Sequence, residues 1–300
     1  MKYLLLPALL LLSGFNCRAN TIDALKTDTD VCRFMISIDS VLHQRAKEGA
    51  HFGLLSAGDL SDPIARKLHI RSWEKADLNG DGRTDLVVQG TYVSYAVIDK
   101  GNNTFKVIDL KLMLAAPLLK PIHIKRKAYL LAYHKVPSYD QKSSNFKDIK
   151  LIDTLVYQYG FFTELNRHPG TMDLASVTFS ISGCALGQCP NLKITVKLDG
   201  IAKYVAGTWN PRQGIFTTTL SGQDLQQVLG FINYMNVKQM LNSYMTPGVM
   251  DGGGWALSVT FKNGYTKNIT DFNEGGTFGL ESVYDLFMGM RDQAHWQSVK

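Results

Sequence analysis

The 300-residue chain is poor in the features that usually announce a site. It has only four cysteines and no C-x-x-C pair, so no dithiol redox motif is written in it. Its seven histidines include no H-E-x-x-H, and His43 and His51 have no partner at ligand spacing, which leaves them as surface histidines. The glycine run Asp251-Gly252-Gly253-Gly254 precedes a strand pattern, whereas a phosphate cradle needs the amides of a helix N-terminus. Ser144-Asn145-Phe146-Lys147 has the form S-x-x-K, but no S-D-N or K-T-G element accompanies it. Charged residues make up 19% of the chain, with a net charge of +6. The one basic cluster, His123, Lys125, Arg126 and Lys127, lacks interleaved aromatics, so nucleic acid is not an expected partner. Beyond residue 19 no apolar run reaches the 18 or so residues of a transmembrane helix.

The longest apolar run stands at the start. Lys2 is followed by the leucine-rich stretch 3–12, too short to span a bilayer, and Cys17-Arg18-Ala19 puts small residues at −3 and −1 for cleavage before Asn20. Residues 1–19 resemble a bacterial secretory signal peptide, which implies an exported protein, periplasmic or extracellular. Gly14-Phe15-Asn16 matches a lipobox poorly, so cleavage is favoured over lipid anchoring through Cys17. Removing the leader takes away Lys2 and Arg18 and no acid, and keeps Cys32, Cys184 and Cys189. In an oxidising compartment Cys184 and Cys189 are close enough in sequence to pair across a small loop, leaving Cys32 over.

Periodicity divides the remainder at His168-Pro169-Gly170, with a β-rich domain over 21–166 and an α+β domain over 171–297. In the first, 30–47 reads as one amphipathic helix, followed by strands at 68–76, 85–92, 93–99 and 104–110. A further strand is expected at 122–133, a polar loop at 136–149, and a hairpin over 153–166 that turns near Tyr159-Gly160. In the second, 175–181, 192–198, 201–207 and 215–220 alternate as half-buried strands, with a turn at Asp199-Gly200. Ser221 with Asp224 opens a helix, Asn263-Gly264 joins the hairpin 255–261 and 265–270, and a final helix covers 279–295. The fold class is α+β. The N-terminal domain is mostly antiparallel β with one helix, and the C-terminal domain is a sandwich with helices on one face of an antiparallel sheet.

Asp77, Asn79, Asp81 and Asp85 place side-chain oxygens at positions 1, 3, 5 and 9 of one loop, with the Arg83 carbonyl at position 7. Calcium takes about 6–8 oxygen ligands, and Gly80 and Gly82 supply the positive φ that lets a chain coil around an ion. Asn-Gly and Asp-Gly are also plain hairpin-turn signals. An EF-hand would carry Glu at position 12, where Val88 stands, and an apolar strand follows the loop. The run from Ala76 to Val88 resembles the calcium loop of FG-GAP (integrin-type) repeats, in which the loop joins two strands of a propeller blade. The resemblance implies a structural calcium ion. No second such loop occurs, so it does not extend to a propeller. Asp271, Asn273 and Glu274 begin a similar pattern that stops early.

Val177 to Ser182, Gly183-Cys184, Cys189-Pro190, and the strand that ends at Asp199-Gly200 resemble an exported bacterial domain family of unknown function. With the later hairpin and last helix, the resemblance covers 174–297 and implies a fold but no activity. The expected function is a non-enzymatic, calcium-stabilised binding module of the cell envelope, its ligand a protein or an envelope component. Tyr92, Tyr95, Trp209 and Trp255 are the candidates for an exposed aromatic patch. The rival is an envelope hydrolase with its site at the interdomain cleft. A third reading is an inhibitor-like protein that docks through the Cys184–Cys189 loop.

Overall fold

The computed structural model describes residues 20–299, apart from 50, 57, 113–115, 141–144, 172, 183–187, 246–252 and 273–274. Four short helices come first: α1 (Thr21–Ala24), α2 (Asp28–Ile38), α3 (Ser40–Lys47) and α4 (Pro63–Lys67). A capping box formed by Thr27 and Asp30 starts α2. The single helix expected over 30–47 is broken at Asp39. That residue leaves the helical region (φ −107°, ψ 120°), and its carboxylate takes the Leu42 amide to cap α3. A strong N-cap residue inside a helical pattern offers the backbone an alternative to continuing.

The first sheet is an antiparallel meander of β1 (Trp73–Ala76), β2 (Asp85–Gln89), β3 (Ser94–Asp99) and β4 (Phe105–Asp109). Every residue of β2 and β3 is buried, because the sheet is covered on both faces. Leu86, Val88 and Val97 pack with Val31, Phe34 and Met35 of α2. Val87, Ala96 and Ile98 pack on the other side with Leu119, Leu130 and Leu155 of a second sheet.

That second sheet runs β5 (Leu118–Ile124), β6 (Lys127–Asp140), β7 (Asn145–Gln158) and β8 (Phe161–Glu164). Lys125 and Arg126 adopt φ 48° and 69°, so the segment expected as one strand over 122–133 is a hairpin with the basic cluster at its tip. Within the region expected as a loop over 136–149, residues 136–140 and 145–149 are extended as well. β6 and β7 pair with each other out to Asp140↔Asn145, while β5 ends its pairing at Tyr133 and β8 begins at Leu155. Residues 134–140 and 145–154 therefore form a two-stranded ribbon that runs beyond the sheet.

The remaining strands are β9 (Leu174–Ser182), β10 (Asn191–Lys197), β11 (Ile201–Ala206), β12 (Gly214–Thr219), β13 (Ser243–Met245), β14 (Gly254–Phe261), β15 (Thr266–Phe272) and β16 (Gln297–Ser298). They form one eight-stranded sheet in the order β13-β15-β14-β9-β10-β11-β12-β16, antiparallel except at the β13–β15 pair. Two helices, α5 (Gly222–Met235) and α6 (Phe278–Gln293), cover a single face. Val228, Phe231, Val283 and Phe287 from the helices meet Phe179, Ile194, Tyr204 and Leu257 from the strands. Ser221 caps α5 through the Asp224 amide, as its sequence predicts. The chain is α+β, with its N-terminal half mainly β.

The halves exchange aromatic rings. Phe278, at the start of α6, belongs to the core between the two N-terminal sheets, and Phe161 of β8 belongs to the core of the eight-stranded sheet. Gly230 of α5 lies against Tyr159, where a Cβ would come within 2.3 Å of the ring, so only glycine permits this approach.

Candidate functional site

The loop between β1 and β2 is held by its own amides. Asp77 Oδ1 accepts from the Gly80 and Asp81 amides at 2.7 and 3.1 Å, and Oδ2 accepts from Gly82 at 2.9 Å. Asn79 Oδ1 accepts from the Asp81 amide, and Asn79 Nδ2 donates to Asp81 Oδ2, both at 2.9 Å. Asp81 Oδ1 accepts from the Arg83 amide, and its Oδ2 also pairs with the Arg83 guanidinium at 2.7 Å. Gly80 and Gly82 supply φ values of 79° and 81°. Asp77, Asn79 and Asp81 thus lie together at an exposed tip with their oxygens already oriented.

Asp85 sits elsewhere. It is fully buried, with Oδ2 accepting from the Leu78 and Asn79 amides and Oδ1 from the Asp99 amide. Burial pushes its carboxyl up to about 6, against the pull of those amides, and the Asp81 charge adds to the rise. The side chain anchors the loop from beneath. Above it in the second sheet is a residue the motif could not disclose, Tyr157. Its hydroxyl is buried, has no hydrogen-bond partner among the described residues, and is pushed up to about 12 by burial and then by the Asp85 and Asp81 charges.

In donor chemistry the tip fits calcium. The oxygens of Asp77, Asn79 and Asp81 and the Arg83 carbonyl would hold the ion, which would cross-link one end of the first sheet. Two features limit the fit. The Arg83 guanidinium occupies one Asp81 oxygen, and the Asp85 oxygens are taken by the Leu78, Asn79 and Asp99 amides. Among the described residues no group of three or more His, Cys, Asp or Glu converges on one point.

A second candidate lies at the seam between the halves. A cavity of about 300 Å³ is lined by Glu164, Asn166, Asn236, Gln239, Tyr244 and Thr277, among others. The Glu164 carboxylate accepts from the Phe278 amide at 2.7 Å and the Gly279 amide at 3.1 Å, while Thr277 takes the Leu280 amide. The first three amides of α6 are therefore satisfied, two of them from across the seam. Desolvation raises the Glu164 pKa above the ordinary carboxylate value, against the amides that stabilise its charge. Across the same seam Asn166 donates from its backbone amide to the Tyr234 hydroxyl and from its side-chain amide to the Tyr234 carbonyl.

A concavity of about 760 Å³ lies beside β1. Several of its polar groups are committed to structure: Lys75 donates to the Asp23 and Leu25 carbonyls, Glu74 pairs with Lys120, and the Trp73 indole donates to Asp28. Of the four aromatics singled out from the sequence, Tyr92 and Trp209 are 89% and 60% exposed, whereas Tyr95 and Trp255 are buried. Asp271 is buried with Oδ1 accepting from the Gly275 amide, and Asn273 and Glu274 lie outside the described residues. Ser144, Cys184 and the leader 1–19 also lie outside them, and with Cys184 the expected disulfide. Cys32 is a free thiol, raised by burial and by the nearby Asp28 charge.

The structure defines a class: an α+β protein in which a helix-covered pair of sheets is joined to a helix-backed eight-stranded sheet. Residues 175–291, nearly the whole of that last unit, match the profile of a domain of unknown function, DUF6438. This agrees with the unknown-function resemblance read over the C-terminal half. No curated protein and no solved structure matches the chain.

Proposed function

We propose that the protein is an exported, non-enzymatic binding module of the cell envelope, its N-terminal half ordered by calcium at the Asp77–Asp85 loop and its C-terminal half by a Cys184–Cys189 disulfide. The observation that carries the binding reading is the β6–β7 ribbon. Ile149, Leu151 and Ile152 are 47%, 41% and 49% exposed there, on paired strands that no third strand borders among the described residues. Two-stranded ribbons are marginal in water on their own, and clustered exposed aliphatics mark interaction sites. A protein or an envelope component is the ligand this surface suits.

Calcium is tested by thermal and urea unfolding of the chain from Asn20, with calcium and with chelator, beside Asp81→Ala. For a site with a Kd of about 10⁻⁴–10⁻³ M, calcium at about 1 mM adds roughly 0.4–1.4 kcal/mol to the native state. That gain should vanish in Asp81→Ala. An equal response of both proteins, or none in either, would reduce the loop to a hairpin turn.

A hydrolase is the second reading, and it rests on Glu164 in the seam cavity. A raised carboxyl suits a general acid, but this one already caps α6. Hydrolysis of envelope material that disappears in Glu164→Gln, with folding intact, would replace the binding reading.

A further inference from the structure

Among the described residues no helix lies on the outer face of the eight-stranded sheet. Its inward positions fill the core with α5 and α6, and its outward positions alternate with them along each strand. Among the described residues none of these outward positions is Asp or Glu. Three are lysines, all on two neighbouring strands.

Register brings the lysines together. Lys193 and Lys197 lie four residues apart on β10, about 13 Å of strand. Lys203 of β11 stands opposite Thr195, midway between them. All three are exposed, and none has an ion-pair partner among the described residues. They surround an open basin of about 440 Å³, whose walls include Thr195 and Thr217.

Beside the lysines the face turns apolar. Ile201, Val205 and Ile215 are 44%, 38% and 42% exposed, and Val205 pairs with Ile215 across β11 and β12. The turn that follows this pair holds the exposed Trp209, at φ 60°, and Arg212. A soluble anion would occupy the lysines and leave the aliphatics and the indole in water. A lipid surface meets both, because ammonium groups pair with anionic headgroups while aliphatic and indole side chains enter the boundary beneath them.

We propose that the β10–β12 face is a docking surface for an anionic phospholipid membrane, with Lys193, Lys197 and Lys203 on the headgroup phosphates and Trp209 with Ile215 at the interface. This names one envelope component for the binding reading, but it uses neither the calcium loop nor the ribbon. Running the assay in chelator therefore separates it from the calcium proposal.

The test is cosedimentation of the chain from Asn20, which lacks the apolar leader, with mixed phosphatidylcholine–phosphatidylglycerol vesicles and with pure phosphatidylcholine vesicles. Binding is expected to the mixed vesicles alone and to weaken with added salt. Reversing charge at the lysines should cost about fivefold or more each, and roughly a hundredfold in the triple variant Lys193→Glu, Lys197→Glu, Lys203→Glu. Trp209→Ala should weaken binding severalfold at unchanged urea midpoint. Lys203→Glu alone serves if the triple variant does not fold. Failure to bind mixed vesicles, or undiminished binding by the charge-reversed protein, overturns the proposal. So does complete displacement by glycerol phosphate, which would mark a site for a soluble phosphate.

Discussion

β2 with β3 and β10 with β11 are both antiparallel pairs at the centre of a sheet, yet they read in opposite ways. Along β2 and β3 every side chain is buried, Asp85 and Gln89 included. Along β10 and β11 buried and exposed residues alternate without a break until Ala206. Pairing is the same and cover differs: α2 and the second sheet enclose the first pair, while α5 and α6 leave one side of the second pair open. In the N-terminal half, accessible chemistry is pushed to the ends of strands, at the Asp77–Asp81 tip and the β6–β7 ribbon. In the C-terminal half it is spread over a face, where side chains can vary without touching the core.

The sharpest way to test that contrast is to cut one residue from each environment. Phe278→Ala removes a ring that α6 inserts into the core between the N-terminal sheets, and should lower stability by about 3–5 kcal/mol. Lys203→Glu, on the open face, should stay within about 0.5 kcal/mol of the parent. Urea unfolding measures both. Two separated transitions in Phe278→Ala would show that this ring couples the halves, and a loss as small as that of Lys203→Glu would mean the seam is dispensable.

Next in size is the cap that crosses the seam. Glu164→Ala strips two amides at the start of α6 of their acceptor and should cost about 2–4 kcal/mol, since an unsatisfied buried donor costs roughly 1–3 kcal/mol. Its acidity sets a pH dependence. The folded pKa lies above the ordinary value of 4.5, so the native state holds the proton more tightly than the unfolded chain. The resulting stabilisation is full below the unfolded value and is lost as pH rises through the folded one. Relative to the parent, Glu164→Gln should therefore lose less stability between acid and neutral pH. Identical slopes for the two proteins would mean the carboxylate is ionised in the fold at no cost.

Much of this was legible in the sequence where one face of a strand had to be buried. Val177, Phe179 and Ile181 alternate because α6 covers only their side, and Asp199-Gly200, Asn263-Gly264 and Ser221 mark turns and a cap from local chemistry alone. The ribbon escaped the same reading. Among the described residues no third strand borders it, and Pro137, Lys147 and Asp148 read as loop. For the cation loop, spacing disclosed the shared tip of Asp77, Asn79 and Asp81 but not the depth of Asp85, which depends on β3 supplying the Asp99 amide. Glu164 left no local trace, since the amides it caps are 114 and 115 residues away. The lysine triangle needs the β10–β11 register as well as the sequence.

The remaining test takes the N-terminal half at a cation held against a ring. Lys106 of β4 lies with its ammonium 3.7 Å from the Phe161 ring centroid and donates to the Gly160 carbonyl at 2.7 Å. Burial first, and the nearby Lys100 charge second, lower its pKa from 10.5 to about 8. The unfolded chain then holds the proton more tightly than the native state, so the stability linked to Lys106 is full above about 10.5 and lost as pH falls through about 8. Lys106→Met keeps most of the stem and removes the charge, at the loss of one hydrogen bond worth about 1 kcal/mol. Relative to the parent, the variant should thus be at its weakest near pH 10 and gain ground toward pH 7. Urea midpoints of the two proteins across that range measure the gain. A constant difference would show that the Phe161 face and the Gly160 carbonyl hold the ammonium as well as water does, and that the seam carries a charge without penalty.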